Sequence, residues 1–377
     1  MRVQSNVSIA TRLMLRTGML VCTALILVSA VSITAFRHYA KQQVYAQTRS
    51  LAQRHALSIS MRLNKSASAT QTLSNTIETL VNNDFADRRV GLDIVKRFLQ
   101  GNPDLICAWC IFEPNEFDGK DAEYVNTTYG NDIGRYGASY NKATGKIRID
   151  ITGEHGLLPG EGDWYVIPRN SARERLISPY TYAYYDNTPK FYETSYTVPI
   201  FRNGRVIGVV GVDIGLDFLS STIKNIRPYG TGYAEIVAAD GTLAASPNPS
   251  VRGKDLGNSP EDLRIKNAVI ANCGIEITHY DKSIGDNVLT VLVPIKVGRA
   301  DEHWGIAVTV PMSKAMASVT RLTYACTGIS IIVLAFSLVV VKIIANQISF
   351  PIRQLSQAAS RVAIGDMDGA REMLKIA

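Results

Sequence analysis

Asp163-Trp164-Tyr165, then Ser178-Pro179-Tyr180-Thr181-Tyr182, then Tyr192-Glu193-Thr194-Ser195-Tyr196-Thr197-Val198-Pro199-Ile200, a turn at Asn203-Gly204, and Val206-Ile207-Gly208-Val209-Val210-Gly211-Val212-Asp213-Ile214: the stretch from Asp163 to Leu219 decides the fold. Alternating β-branched and aromatic residues before Asn-Gly, and a nearly continuous Val/Ile run after it, predict a hairpin closed by a two-residue turn. The second strand carries an acid, Asp213, near its end, and the nearest basic residue in sequence is Arg205, back at the turn. An acid on an apolar strand is costly without a compensating partner. Tyr180 and Tyr182 alternate, so they share a face. With Trp164 and Tyr165 they are candidate walls of a small-ligand pocket with Asp213 at its floor.

The order Trp-Tyr, Pro-Tyr, Gly-Val-Val-Gly-Val-Asp-Ile resembles the membrane-distal module of double Cache sensor domains, as found in bacterial methyl-accepting chemotaxis receptors. Phe112-Glu113-Pro114-Asn115-Glu116-Phe117-Asp118-Gly119-Lys120-Asp121 is similar to a segment common in that family. The resemblance implies an α+β fold: a long N-terminal helix followed by two PAS-like (Cache) mixed modules with antiparallel sheets. In the amino-acid-sensing branch, an arginine two positions before the tryptophan grips the ligand carboxylate, and a tyrosine and the strand-end aspartate grip its amine. Here Tyr180 and Asp213 match the amine half, while Gly162 holds the arginine position and Asp163 adjoins it. Losing the guanidinium removes the bidentate carboxylate partner. An acid among aromatic faces suits cations, so the expected ligand is an amine, a polyamine or a quaternary ammonium compound. A second acid would favour a diamine; Asp163, Asp186 and Glu193 are candidates. The plainer alternative makes Trp164 and Tyr165 core residues and Asp213 a hydrogen-bonded structural acid.

Two blocks flank this region. Residues 17–36 and 322–341 each hold twenty residues without a charge, about 30 Å of helix and enough to cross a bilayer. The first could be a cleaved signal sequence, but it exceeds the usual apolar core of about 7 to 15 residues, which favours an anchor. Arg12 and Arg16 before the first block, and Lys342, Arg353 and Arg361 after the second, favour both ends in the cytoplasm of a bacterial inner membrane, with the sensor outside. The expected organisation is a cytoplasmic N-terminus (1–16), a first span (17–36), and an extracytoplasmic sensor (37–321). The sensor divides into a long helix (37–83), a distal module (84–226) and a proximal module (227–311). A second span (322–341) and a tail (342–377) complete it. Ile348-Ser349-Phe350-Pro351-Ile352-Arg353-Gln354-Leu355 and Ala363-Ile364-Gly365-Asp366 resemble the first helix of a HAMP linker. The connector and second helix are not recognisable after Asp368, so a partial linker is expected.

Within residues 37–83 no proline or glycine occurs, and Ala52, Ala56, Ile59, Leu63, Ser66, Thr70, Leu73, Ile77 and Leu80 step by threes and fours. That seam predicts a helix that packs on the sensor core and against a second copy in a homodimer. Further helices are expected at 90–99, at 171–175, after Asp217 as N-cap, at 261–271 and from Pro311. Strands are expected at 105–112 and 146–151. In the proximal half they are expected at 232–238, 242–245, 275–280, 288–295 and 304–310, a module that lacks an aromatic-acid grouping and reads as a transmitter.

The net charge of +7 is scattered rather than clustered, so nucleic acid is not an expected partner. Cys107 and Cys110 lie three apart on a strand, about 10 Å between Cα atoms and on opposite faces, which predicts buried thiols rather than a disulfide or redox pair. The outer block's histidines (His38, His55, His155, His279, His303) have no metal-ligand spacing and no Gly-x-Ser-x-Gly elbow occurs. No cofactor or metal is expected, and the protein reads as a receptor rather than an enzyme. The 36 residues after the second span are too few for a catalytic domain. A chemotaxis kinase and coupling protein become partners only if a signalling domain lies downstream. Otherwise the sensor serves a histidine kinase or a cyclic-dinucleotide enzyme, or the chain is a truncated receptor without output.

Overall fold

The structure, a computed structural model, describes residues 9–83, 85–185, 189–363 and 365–367. By contacts the chain divides into two units, one of residues 45–315 and one formed by the two ends, residues 1–44 and 316–377.

In the first unit, helix α1 (Ile9–Asn82) contributes its C-terminal part. Ala52, Ala56, Ile59, Leu63, Ser66, Thr70, Leu73 and Ile77 are all buried, and Val81 replaces the half-exposed Leu80 at the end of the seam. Each fully buried aliphatic side chain contributes about 1.5 to 3 kcal/mol. Polar contacts set the register: the Asn64 amide donates to the Lys296 carbonyl at 3.1 Å, Gln71 to Glu174 at 2.7 Å, and Asn82 to the Phe201 carbonyl at 3.1 Å. The seam predicted from spacing is therefore satisfied within one copy of the chain.

The distal sheet is antiparallel throughout. Its strands are β1 (Leu105–Phe112), β2 (Gly137–Asn141), β3 (Arg148–Asp150), β4 (Arg175–Leu176), β5 (Tyr180–Tyr182), β6 (Phe191–Arg202) and β7 (Arg205–Gly215). The order is β3-β2-β1-β7-β6-β4, with β5 also on β6. The β6-β7 turn is as expected: Asn203 and Gly204 both take positive φ (51° and 79°), the conformation that a tight turn between twisted strands requires. Helix α2 (Arg88–Gly101) starts at Asp87, whose carboxylate accepts the Arg89 and Val90 amides, and buries Leu92, Val95 and Leu99. It packs on β1 and β2, on the side to which Phe112 and Tyr136 contribute.

The opposite face carries helix α3 (Asp163–Ser171). Its place corrects one expectation: the helix foreseen at 171–175 is instead 163–171, and Arg175 begins β4. Two aromatics and an internal Pro168 disguise the helical period, and burial of Tyr165 and Pro168 against the sheet holds the segment. A second correction concerns helix α4 (Asp217–Lys224). Asp217 is its first residue and caps nothing; it pairs instead with Arg252 at 3.0 Å. The arginines in and after α3 are all paired: Arg169 with Glu113 at 2.7 Å, Arg173 with Asp301 at 2.6 Å and Arg175 with Glu302 at 2.8 Å.

The proximal sheet, ordered β10-β11-β12-β8-β9, comprises β8 (Tyr233–Val237), β9 (Leu243–Ala245), β10 (Ile275–Asp281), β11 (Asp286–Lys296) and β12 (His303–Pro311). Helix α5 (Pro260–Ile270) covers it, opened by a reciprocal Ser259-Asp262 capping box. Val269 and Ile265 pack with Val237, Ile277 and Leu292. A short helix, α6 (Met312–Ala315), closes the unit.

The second unit holds the N-terminal part of α1 and α7 (Ala317–Ala363). Both are long and apolar enough to cross a membrane. Ile26, Leu27, Val31, Ile331, Ile332 and Phe336 are each more than half exposed, and the Ser29 and Ser330 hydroxyls lie 3.1 Å apart. The continuation expected of a HAMP linker after Asp368 lies outside the described residues.

Candidate ligand site

β1 and β7 pair with Cys107 opposite Asp213 and Trp109 opposite Gly211. On the other side of β7, Ser195 of β6 stands opposite Asp213. The period of two therefore puts Cys107, Trp109 and Ile111, Asp213, and Glu193 and Ser195 on the face that α3 covers. The lack of a Cβ at Gly211 lets Trp109 lie across it, because a methyl group there would stand 2.1 Å from the indole ring. Lying so, the indole Nε1 donates to Asp213 Oδ1 at 3.2 Å.

Asp213 is buried and has no cationic partner among the described residues. Its Oδ1 also accepts the Ser195 hydroxyl at 2.7 Å, and its Oδ2 accepts the Tyr184 hydroxyl at 3.0 Å. Burial raises its carboxyl above the ordinary value, opposed by hydrogen bonds from Ser195, Trp109, Tyr184 and Cys107. A second acid stands next to it: Glu193, fully buried, with both carboxyl oxygens 3.1 Å from the same Tyr184 hydroxyl. Burial first, and then repulsion from Asp213, push the Glu193 carboxyl from 4.5 up to about 9. Tyr180 completes the group by bonding Ser195 Oγ at 2.6 Å.

A cavity beside these acids is lined by Cys107, Trp109, Ile111, Ser139, Asp150 and Thr152 from β1–β3 and the following loop, and by Trp164, Tyr180, Tyr182, Tyr184 and Asp213. Trp109 and Trp164 meet edge to face at 4.7 Å between centroids. The free space is about 20 Å³, room for about one water. Any organic ligand therefore requires the rings of α3 and of the segment after β5 to part.

Among the expected site residues, Trp164, Tyr180, Tyr182 and Asp213 lie together on this cavity. Tyr165 does not line it: its hydroxyl donates to Glu113 and accepts from Arg135, which also pairs with Glu154 at 3.1 Å. Tyr165 and Trp164 are adjacent on a helix, so they point about 100° apart. Of the candidate second acids, Glu193 adjoins Asp213. Asp163 instead accepts the Gly160 amide at 2.8 Å in the loop before α3, and Asp186 lies outside the described residues. Sequence reasoning missed Tyr184, Trp109, Ser195 and Asp150. Tyr180-x-Tyr182-x-Tyr184 continues the period of two and would have pointed to the first, and Cys107-x-Trp109-x-Ile111 to the second.

Among the described residues the cavity lining includes no lysine, arginine or histidine. At Gly162, the position where the family resemblance would put a guanidinium, a Cβ would stand 2.7 Å from the backbone of Gly156 and Leu157, so no side chain fits. Cys107 and Cys110 are unbonded and buried. Burial, and for Cys107 the neighbouring Asp213, raises both thiols, Cys110 to about 12, which keeps them protonated and weakly nucleophilic at neutral pH.

A stability profile follows from Glu193. Between about 4.5 and 9 the folded state holds a proton that the unfolded chain has released, so stability is expected to fall as pH rises through that window, by up to about 1.4 kcal/mol per unit. The thermal midpoint is expected to be higher at pH 6 than at pH 9, with the difference reduced in Glu193→Gln; a flat wild-type profile would contradict the buried-proton account.

Comparison with known proteins agrees with the architecture. A family model for the Cache domain matches residues 36–319. The methyl-accepting chemotaxis protein TlpQ of Pseudomonas aeruginosa is 25% identical over 304 residues, 73% of this chain and 41% of that protein. PctB, a methyl-accepting chemotaxis protein of the same species, is 23% identical over 56% of this chain and 32% of its own length. The chain thus spans less than half the length of the curated relatives it matches. The extracellular domain of mmHK1S-Z3, described as a histidine kinase, superimposes with a TM-score of 0.65 at 27% identity, covering 74% of this chain and 98% of that domain. The ligand-binding domain of Mlp24, solved with asparagine, shares the fold alone (TM-score 0.51, 15% identity, 74% of this chain and 99% of that one). These relatives are receptors and sensor domains rather than catalytic domains. With two antiparallel sheets behind one long helix and a family match across both, the chain belongs to the Cache domain family.

Proposed function

We propose that this chain is the sensing portion of a transmembrane chemoreceptor and that its distal module binds a small cationic ligand, with an amine or quaternary ammonium group against Asp213. The observation that carries the ligand class is the charge balance of the cavity. Among the described residues, a buried carboxylate held by neutral donors faces Trp109, Trp164, Tyr180, Tyr182 and Tyr184, with no basic side chain on the lining. An ammonium gains a charge-assisted hydrogen bond there and cation–π contacts of about 0.5 to 2 kcal/mol each. A ligand carboxylate finds no cation, and the Gly162 backbone packing excludes one from α3's start.

The two apolar helices support a membrane-anchored receptor with residues 37–321 outside the cytoplasm, and α7, with Pro351 inside it, supports a HAMP-like continuation. A homodimer belongs to the same reading. With the α1 seam buried in one copy, the exposed apolar pair Leu57 and Met61, one turn apart, is the surface α1 offers to another. The similarity to TlpQ and PctB supports chemotaxis as the output. Calorimetric titration of the full chain in lipid nanodiscs against amines, quaternary ammonium compounds and α-amino acids tests the ligand class. Binding confined to amines and ammonium compounds is expected, and binding of α-amino acids alone would overturn it.

A further inference from the structure

We infer that the distal site exchanges a proton for its ligand: Glu193 and Asp213 share one proton through the Tyr184 hydroxyl, so a monocation binds with that proton retained and a dication expels it to solvent. The inference rests on the cationic reading of the site and adds to it how many charges the site accepts.

The Ser195 hydroxyl donates to Asp213 Oδ1, and the Tyr180 hydroxyl, 2.6 Å from Ser195 Oγ, also bonds Glu193. The Trp109 indole serves Asp213 as well. Between the two acids stands the Tyr184 hydroxyl, whose single proton faces three carboxyl oxygens, Asp213 Oδ2 at 3.0 Å and both oxygens of Glu193 at 3.1 Å. A hydroxyl cannot donate to all three, and two bare carboxylates on either side of it would be a buried like-charge pair. One added proton resolves both problems: Glu193 holds it and donates to Tyr184, and Tyr184 donates to Asp213. The other titratable groups facing the pair are Cys107 on β1, Tyr180 and Tyr182 on β5, and Asp150 on β3 across the cavity. None is basic. The upward displacement of the Glu193 carboxyl agrees with this arrangement. At neutral pH the pair thus carries one negative charge and matches one ammonium. A second ammonium brings the field that ionises Glu193, and the released proton goes to the buffer.

The test uses the full chain in nanodiscs, with propylamine and 1,4-diaminobutane as probes; alkylammonium groups stay protonated well below about pH 10. Calorimetry at pH 7 in phosphate and in Tris is expected to give the same enthalpy for propylamine in both buffers. For the diamine, the enthalpies should differ by the equivalent of about one released proton. Diamine affinity is expected to rise by up to tenfold between pH 7 and 8, and propylamine affinity to hold steady. Diamine binding without buffer dependence would overturn the inference. So would proton release that persists in Glu193→Gln and disappears in Asp150→Asn. Should neither probe bind, the cationic reading fails, and the shared proton is still read directly by infrared spectroscopy. A protonated carboxyl band at pH 7 that fades as pH is raised through about 9 and is missing in Glu193→Gln supports it. A band that is absent at pH 7, or unchanged at pH 10, refutes it without recourse to any variant.

Discussion

Asparagine in place of Asp213 is expected to weaken binding of a cationic ligand by roughly 30- to 4000-fold while leaving the protein folded. Removing one partner of a buried charge pair costs about 2 to 5 kcal/mol, and each 1.4 kcal/mol is tenfold. The fold survives because the amide keeps an acceptor for the Trp109 indole and the Ser195 hydroxyl, 3.2 and 2.7 Å away. It also loses the desolvation cost that raises the Asp213 carboxyl. Calorimetry gives the affinity, and the cooperativity of thermal unfolding gives the fold. Unchanged affinity would show that the ligand charge is read elsewhere; lost cooperativity would make Asp213 a structural acid first.

Alanine in place of Arg88 is expected to destabilise the distal module by about 3 to 5 kcal/mol, the cost of breaking a buried ion pair. The Arg88 side chain is 2% exposed. Its Nε and Nη2 bond the two oxygens of Asp118 at 2.8 Å each, Nη2 reaches Asp121 at 2.6 Å, and Nη1 donates to the Gly134 and Tyr129 carbonyls at 2.7 and 2.9 Å. The guanidinium lies 4.2 Å above the Tyr124 ring. Without it, Asp118 and Asp121 are left as acids with little water to replace the lost donors. Denaturant unfolding measures the loss, and Arg88→Lys is expected to recover only part of it, since an ammonium cannot reproduce the fork. A change below about 1 kcal/mol would mean that the 113–135 segment is held by its own turns.

This network also gives a physical reason for the Phe112–Asp121 segment, which in the sequence only resembled a family pattern. Asp118 and Asp121 face Arg88, while Phe117 stacks on Tyr136 at 3.8 Å. Nothing in spacing links Arg88 to acids thirty residues on, because the partnership exists only once α2 lies on the sheet. The same limit governed the site. Hairpin β6-β7, its turn and the buried Asp213 were legible because period-two hydrophobicity and Asn-Gly are local signals. Tyr165 was expected at the pocket, and the cavity lining does not include it, because which side of a short helix faces a cavity depends on what that helix packs against. Arg135 and Glu113 instead hold the Tyr165 hydroxyl.

From residue order alone came the two apolar spans, the long seam of α1, the antiparallel hairpins, and an aromatic cluster around one uncompensated acid. Each is set by periodicity or by the cost of burying charge. Only the packed sheet decided that Trp109 crosses Gly211 to reach Asp213, that Glu193 stands beside that acid with one tyrosine proton between them, and that the cavity closes to about the size of a water. Cross-strand register and helix docking bring together residues far apart in the chain, and local preferences carry no information about such pairings.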